Sequence, residues 1–295
     1  MDNAFVLTLI QVVVPITMFT LMFGMGLTLT KSDFKRIVLY PKPVLVGLVL
    51  QLAIMPLIGF GLALHFELSI MLAVGLVALA ATPGGTTSNV IVHMGKGDTA
   101  LSITLTAIAT SVTLLTLPIW VNFVLLQLGT DAYRIEMPIL KTAVQLAIFT
   151  VIPVLVGMYV NSKYPKLKSY EPLISRISLV AMIAAFIGAA VADNGNALTN
   201  AGDVFLPTFL LLVSAIIIGF ILPKSLGITA KESATIAVET CLKNILLSLF
   251  IATNSLKEPE ASYASAIMGI IMIPAAIMIM VFFKYFNNKQ TTFRN

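Results

Sequence analysis

Long apolar stretches separated by short polar segments run through the whole chain. Each stretch has about the length of a bilayer-spanning helix, which needs about 20 residues. Polar segments divide the 295 residues into nine apolar stretches, at 4–29, 44–64, 68–93, 99–128, 138–160, 174–192, 204–222, 231–253 and 262–283. The pattern predicts an all-α polytopic membrane protein with nine transmembrane helices. Because the loops are too short for a soluble domain, we expect one transmembrane domain over 1–295.

The composition excludes a soluble globule. Hydrophobic residues make up 58% of the chain and charged residues only 11%, whereas a soluble domain carries about 25% charged residues. The net charge of +5 does not indicate nucleic-acid binding, because the charges lie in short loops between apolar stretches. The single cysteine excludes a disulfide within the chain.

The basic residues predict the orientation. With the N-terminus outside, fourteen of the eighteen Lys and Arg residues fall on the cytoplasmic side, as the positive-inside rule requires. The outer segments hold Arg134, Lys141 and Lys257. We therefore expect an outside N-terminus and a cytoplasmic C-terminus in a bacterial inner membrane. An organelle envelope is the alternative location. The first stretch follows an acidic start, so we expect a retained helix rather than a cleaved signal.

Two of the stretches are poor continuous helices. The third contains Pro83-Gly84-Gly85, and the eighth contains Glu239 and Lys243. Taken singly, these features are also compatible with a packing kink and a structural ion pair. Together, two interrupted helices at corresponding positions indicate a transporter site, where freed carbonyls hold a cation and helix N-termini face an anion. The odd span count predicts inverted repeats of four and five helices.

Several motifs in order identify a familiar family. They are Met22 to Leu29 with Ser32-Asp33-Phe34, Gln51 with Ile54-Met55-Pro56, Pro83 to Thr86 with Ser88-Asn89, and Lys96-Gly97-Asp98 with Ala100-Leu101-Ser102. With them the chain resembles the bile acid:sodium symporter family over nearly its whole length. The resemblance implies a panel domain and a core domain, the core around 68–128 and 204–283, with two crossed discontinuous helices. It also implies sodium-coupled uptake of a small organic anion by alternating access.

The resemblance assigns a first sodium site to five residues: Ser88, Asn89, Ser102, Thr106 and Glu239. Neutral oxygens with one carboxylate suit a hard cation, and Ser102 and Thr106 share one helix face. The alternative for such hydroxyls is a bond to the carbonyl four residues earlier. We expect that alternative for three further threonines, Thr110, Thr113 and Thr116.

The second sodium site of the family is altered in this chain. The corresponding residues are Gln51, Glu239, Thr240, Leu242 and Lys243, and Lys243 stands where the family has a glutamine. An ammonium has no acceptor and cannot bind sodium. We therefore predict that Lys243 replaces the second sodium, pairing with Glu239 or Gln51, so that one sodium is transported per cycle. The alternative is a proton-coupled transporter or a cation/proton antiporter that uses the Glu239–Lys243 pair.

The resemblance implies a substrate site in the crevice between the two domains, near the crossing. The residues predicted there are Gly84, Gly85, Thr86, Thr87 and Asn244. Freed backbone N–H groups suit a carboxylate or sulfonate, and small organic acids and sulfonated or sterol-like anions are all compatible with the sequence. The expected partners are this anion and the lipid bilayer, with no obligatory protein partner, and Na⁺ is the coupling ion without any cofactor.

Other classes fit less well. A channel would need ring-forming groups along a pore. An enzyme is not expected, because Ser88 and Ser102 lack a base partner. His65 and His93 lack the neighbouring ligands of a transition-metal site.

Overall fold

The computed structural model describes residues 3–30, 41–129, 137–192 and 197–292, and this part of the chain is helical with short connections. Seven of its helical stretches are long and apolar enough to cross a membrane. They lie at 8–28, 41–65, 99–128, 139–163, 165–188, 199–225 and 259–281. The prediction of an all-helical polytopic membrane protein is therefore confirmed.

The described residues up to 129 form six α-helices. They are α1 (Asn3–Thr28), α2 (Pro41–Val49), α3 (Met55–His65), α4 (Ile70–Ala81), α5 (Thr86–Met94) and α6 (Thr99–Leu128). A π-helical segment at Leu50–Ile54 joins α2 to α3. The predicted third stretch is broken between α4 and α5, at the Pro83-Gly84-Gly85 sequence, because proline and glycine disfavour a continuous helix.

The described residues from 137 onward form six further α-helices. They are α7 (Ile139–Lys163), α8 (Glu171–Ala192), α9 (Ala197–Ser225), α10 (Ala230–Cys241), α11 (Ile245–Phe250) and α12 (Tyr263–Thr292). A π-helical segment, Ile251–Leu256, extends α11, and 3₁₀ turns at Pro165–Tyr170 and Pro259–Ser262 precede α8 and α12. The predicted eighth stretch is broken between α10 and α11.

Helix α1 packs most closely against α7 and α8. A Cβ atom on Gly26 would collide with the Val154 carbonyl, and one on Gly157 would collide with the Phe23 carbonyl. The backbones of α1 and α7 are therefore in direct contact, which is how small residues join helices in a membrane. Two of these helices, α1 and α8, line the cavity described below.

The π-helical segment before α3 has a local cause. Pro56 has no backbone N–H, so it cannot bond to the carbonyl of Leu52 four residues earlier. The indole Nε1 of Trp120 on α6 donates to that carbonyl at 2.9 Å. This contact satisfies the freed group and fixes the segment that carries Gln51 against the core.

Helix α6 starts at the Lys96-Gly97-Asp98 motif. Lys96 takes a left-handed backbone conformation, with φ of 61°, which turns the chain after α5. The Asp98 carboxylate then accepts from the backbone N–H groups of Ala100 and Leu101 at 3.1 and 3.0 Å. As an N-cap it satisfies donors that the first helical turn leaves free. The motif thereby fixes the start of the helix that presents Ser102 to the site.

The two broken helices lie at the centre of the molecule. Every residue from 71 to 84 and from 233 to 253 is buried. In contrast, only 11% of the most apolar window in 165–188, which includes most of α8, is buried. The broken helices are therefore surrounded by protein, where an irregular backbone is tolerated at membrane depth.

Candidate functional site

The two helix breaks contact each other directly. Gly84 and Lys243 form an antiparallel β-bridge. The N–H of Gly85 donates to the carbonyl of Leu242 at 3.0 Å, and the N–H of Asn244 donates to the carbonyl of Pro83 at 2.9 Å. Each break therefore satisfies backbone groups that the other leaves free, and the two breaks bring the ends of four helices to one point.

The Glu239 carboxylate sits beside this bridge, fully buried. The hydroxyls of Ser88 and Ser102 contact its Oε1 atom, and the Thr106 hydroxyl contacts Oε2 at 2.8 Å. The Asn89 Oδ1 atom accepts from Ser102 at 2.7 Å. The structure thus brings together all five residues that the resemblance assigns to the first sodium site.

This cluster has fewer protons than acceptors. Each hydroxyl has a single proton to donate, yet each also lies within bonding distance of a second acceptor. The Ser88 hydroxyl reaches the Gly85 carbonyl at 2.6 Å, and the Thr106 hydroxyl reaches the Ser102 carbonyl at 3.1 Å. The cluster is therefore rich in oxygen lone pairs, the donor atoms that hard cations take from proteins.

Gly84 lies against the carboxylate. A Cβ atom at this position would collide with Oε2 of Glu239. Gly84 was predicted to contact substrate, but it is buried within the bridge and is not among the cavity-lining residues. The absence of a side chain at Gly84 instead allows Glu239 to approach the first break. Sequence reasoning missed this role, because it depends on which element crosses the break.

Lys243 has different partners from those predicted. Its side chain is only 2% exposed, and its Nζ atom donates to the carbonyls of Ala80 at 2.8 Å and Thr82 at 3.1 Å. These carbonyls lie at the C-terminus of α4, the negative end of the helix dipole. The predicted pairing with Glu239 or Gln51 is therefore wrong: the ammonium caps the first broken helix.

The other residues of the altered second site bond to protein groups. The Gln51 side-chain oxygen accepts from the Gly84 N–H at 3.0 Å, and the Leu242 carbonyl accepts from Gly85. The Thr240 hydroxyl donates to the Ile236 carbonyl at 2.7 Å. Hence two of the predicted oxygens already accept backbone N–H groups, and the hydroxyl is used inside its own helix.

A cavity of about 230 Å³ lies beside the crossing. Its lining residues come from α1, both breaks, α8 and α12: Leu21, Met22, Gly85, Thr87, Ser175, Arg176, Ser178, Leu179, Met182, Lys243, Asn244, Ile245, Leu246, Gly269, Met272 and Ile273. Of the predicted substrate residues, Gly85, Thr87 and Asn244 line this cavity. The side chain of Thr86 lies outside the described part of the structure. Sequence reasoning missed the residues of α8, and assigned Arg176 only a topological role.

We expected three other threonines of α6 to bond to the carbonyl four residues earlier, and this expectation is met in part. Thr110 donates to the Thr106 carbonyl at 2.7 Å and Thr116 to the Val112 carbonyl at 3.4 Å, each within the helix. The expectation is wrong for Thr113, whose buried hydroxyl has no hydrogen-bond partner in the described structure. Among the described residues no group of three His, Cys, Asp or Glu side chains is placed to hold a metal ion.

Comparisons with known proteins identify the family. The sequence model of the Sodium Bile acid symporter family matches residues 15–201. The chain is 31% identical over 252 residues to a probable chloroplastic sodium/metabolite cotransporter of Arabidopsis thaliana, covering 84% of this chain and 61% of that protein. It is 32% identical over 253 residues to an uncharacterised sodium-dependent transporter of Bacillus subtilis, covering 85% and 76%.

A mammalian relative aligns over a similar region. The chain is 27% identical over 263 residues to the ileal sodium/bile acid cotransporter of Homo sapiens, covering 88% of this chain and 74% of that protein. The region matched by the family model contains the first break, at Pro83-Gly84-Gly85. The chain therefore belongs to the sodium bile acid symporter family, whose members are sodium-coupled membrane transporters and not enzymes.

Proposed function

We propose that this protein imports a small organic anion together with sodium by alternating access. The observation that carries the proposal is the Glu239 cluster, in which Ser88, Ser102 and Thr106 converge on one buried carboxylate. A buried carboxylate is costly unless a charge compensates it. A bound Na⁺ supplies that charge, held by the cluster oxygens and by Asn89. The cavity is lined by both breaks, so ion and anion would bind on either side of the same crossing.

One sodium ion is transported per cycle in this proposal. Lys243 replaces the second ion by placing a fixed positive charge between the two broken helices, on the carbonyls of Ala80 and Thr82. The oxygens of Gln51 and Leu242 each accept a backbone N–H group. The lysine therefore supplies the positive charge of a bound ion while remaining a covalent part of the protein.

Proton coupling is the less favoured mechanism. This mechanism would require Glu239 and Lys243 to exchange a proton as a pair. In the structure the carboxylate is bonded to hydroxyls and the ammonium to carbonyls. The observed contacts thus give such a pair no direct hydrogen bond, and they favour sodium at Glu239.

The proposed architecture has nine spans, in inverted repeats of four and five helices. The seven long helical stretches and the two broken helices support this number. Close packing of α1 with α7 and α8 supports a panel of these three helices, with the remaining helices as the core. We propose an outside N-terminus and a cytoplasmic C-terminus, in a bacterial inner membrane.

A sodium gradient should drive uptake in proteoliposomes that contain the purified protein. We expect a panel of radiolabelled small organic acids to include one whose uptake requires an inward sodium gradient and does not respond to a proton gradient. The Ser102→Ala variant should weaken the sodium dependence. Ser111→Ala, which removes another serine of α6 bonded only to the Ala107 carbonyl, is the matched control. Uptake driven by protons alone would contradict the proposal.

A further inference from the structure

Helix α8 contributes polar groups to the wall of the cavity that faces the crossing. Ser175, Ser178 and Met182 follow at helical spacing on one face, with Arg176 and Leu179 beside them. The cavity therefore has polar groups from the crossing and from the start of α8, together with apolar lining side chains.

The rest of α8 is suited to lipid. Its large apolar residues are exposed at Leu173, Ile177, Leu179, Val180, Ile183 and Ile187. A charged side chain in a membrane-spanning helix is rare and usually faces the protein interior or a water-filled cavity, where it marks a functional site. Arg176 falls within such a helix, in the apolar stretch 165–188, and lines the cavity.

Two groups on this wall lack protein partners. The Ser178 side chain is only 2% exposed, and its hydroxyl makes no hydrogen bond in the described structure. Nearby, the Glu171 carboxylate accepts from Ser175 at 2.6 Å, and no described carboxylate pairs with the Arg176 guanidinium. A buried hydroxyl without a partner costs free energy. The Ser178 oxygen is closed to solvent in this structure, so a substrate would reach it only after the neighbouring side chains shift.

We propose that Arg176 and Ser178 form an anion-binding subsite on α8. The guanidinium binds the carboxylate or sulfonate of the substrate, for which its planar pair of donors is suited. The Ser178 hydroxyl bonds to a second polar group of the same molecule. Because the Lys243 ammonium is bonded to Ala80 and Thr82, Arg176 provides the cavity with positive charge for the substrate. The subsite rests on the proposed transport function and assigns its substrate class.

The cavity volume limits the size of that substrate. Sites for drug-sized ligands have volumes of about 300–1,000 Å³, and this cavity has about 230 Å³. The class is therefore a short organic acid with a hydroxyl or oxo group, and not a sterol acid. Its short carbon chain would contact apolar lining residues such as Met182, Leu246 and Met272.

Ligand binding to the full-length protein in detergent with sodium tests the subsite. The probes are 2-hydroxybutyrate, 2-oxobutyrate and 2-hydroxypropane-1-sulfonate, with 2-hydroxybutyramide as the uncharged counterpart and cholate as the sterol acid. We expect a short acid to raise the unfolding temperature and the amide and cholate to have no effect. Arg176→Gln should weaken binding of that acid about tenfold, since it removes a charge-assisted contact. Lys168→Gln, which removes an exposed charge just before α8, should leave binding unchanged.

Ser178→Ala gives a signature that a purely structural residue would not give. Removing an unpaired buried hydroxyl should leave the empty protein as stable as the wild type or more stable, while the affinity for the acid falls about fivefold. Sodium binding in both variants should stay at the wild-type level, which separates failure of the subsite from failure of sodium coupling.

Three results would overturn the subsite. They are tight binding of cholate alone, no stabilisation by any short acid in a protein that still binds sodium, and unchanged acid affinity in Arg176→Gln. If instead Arg176→Gln alters stability only in vesicles with anionic phospholipid, the guanidinium binds lipid headgroups, and the proposal is wrong.

Discussion

A single buried carboxylate organises the chemistry of this transporter. Glu239 lies in the middle of a membrane protein, where a charge is expensive, and three hydroxyls from two other helices converge on it. Ser88 comes from α5, and Ser102 and Thr106 come from α6. Since the carboxylate and the three hydroxyls come from three separately positioned helices, α10, α5 and α6, we expect binding of a cation here to be coupled to the positions of these helices.

Replacing Thr106 by valine should lower sodium affinity about tenfold. The change keeps the shape of the side chain and removes one oxygen that contacts Oε2 of Glu239 at 2.8 Å, a contact with a charged group worth about 1.5–3 kcal/mol. Sodium titration by calorimetry measures the effect. Thr116→Val is the matched control, because that hydroxyl is exposed and bonds only within α6. Equal affinities in the two variants would contradict the assignment of Thr106.

Replacing Gly84 by alanine should impair sodium binding without unfolding the protein. The added methyl group would collide with the Glu239 carboxylate and displace it from the hydroxyl cluster. The measurement is again the sodium dissociation constant, alongside the unfolding temperature. Gly202→Ala, where a Cβ has no neighbour within 4 Å, is the control. Wild-type sodium affinity in Gly84→Ala would show that the carboxylate does not need this close approach.

The helices form a closely packed group of α1, α7 and α8 and a buried centre that contains the two broken helices. Glycine contacts between α1 and α7 leave no room for side chains, and the breaks between α4 and α5 and between α10 and α11 are joined by backbone bonds. Contacts of this kind favour movement of whole elements over local deformation. The cavity is lined by α1 and α8 and by the two breaks, as the proposed alternating access would require of a binding site.

Replacing Gly157 by alanine should lower the unfolding temperature by a few degrees. The added Cβ would press against the Phe23 carbonyl of α1, and such overpacking costs about 1–3 kcal/mol. Gly61→Ala should not lower it, because no atom lies within 4 Å of the added Cβ and alanine favours helix by about 0.5–1 kcal/mol over glycine. Thermal unfolding in detergent compares the two variants. Equal unfolding temperatures would show that α1 and α7 are not closely packed.

Much of this element-level organisation could be predicted from the sequence. The lengths of the apolar stretches predicted the long helices. The predicted stretch 99–128, for example, has the same bounds as α6. Both breaks were predictable because Pro83-Gly84-Gly85 and the charged Glu239–Lys243 segment disfavour a continuous apolar helix. The five residues around Glu239 were assigned by resemblance, since they are distant in sequence and nothing in local pattern relates them.

The partners of Lys243 and the polar face of α8 were not predictable in the same way. Lys243 and Glu239 are four residues apart, so helical spacing suggested a pair, but the break after Cys241 ends the helix between them. The carbonyls that Lys243 contacts belong to the C-terminus of another helix. Arg176 lies near a helix end, where the positive-inside rule explains a basic residue without any binding role. Only the structure shows that it also lines the cavity.

At the scale of the whole molecule, the proposed replacement of one sodium ion by Lys243 would set the charge moved per cycle. One Na⁺ with one monovalent anion carries no net charge, whereas a second sodium would add one positive charge. A membrane potential contributes about 2.3 kcal/mol per charge per 100 mV. The number of sodium ions therefore determines whether the membrane potential drives uptake.

Uptake of a monovalent anion by the wild-type protein should not depend on membrane potential. In proteoliposomes with a potassium diffusion potential, an interior-negative voltage should leave the initial rate unchanged. In the Lys243→Gln variant, which offers a second sodium site, the same voltage should accelerate uptake. Lys231→Gln, at an exposed position of α10, should behave as the wild type. Acceleration of the wild type by voltage would indicate more than one sodium ion per anion.

Sodium binding to the purified protein, followed by isothermal calorimetry, tests the central claim most directly. The wild type should bind one sodium ion with a simple saturation curve, and Glu239→Ala should abolish this binding. Lys243→Gln should bind two ions with a steeper, cooperative curve, while Ser111→Ala should match the wild type. Two ions bound by the wild type, or an unchanged single-ion curve in Lys243→Gln, would contradict the proposal that this lysine replaces the second sodium.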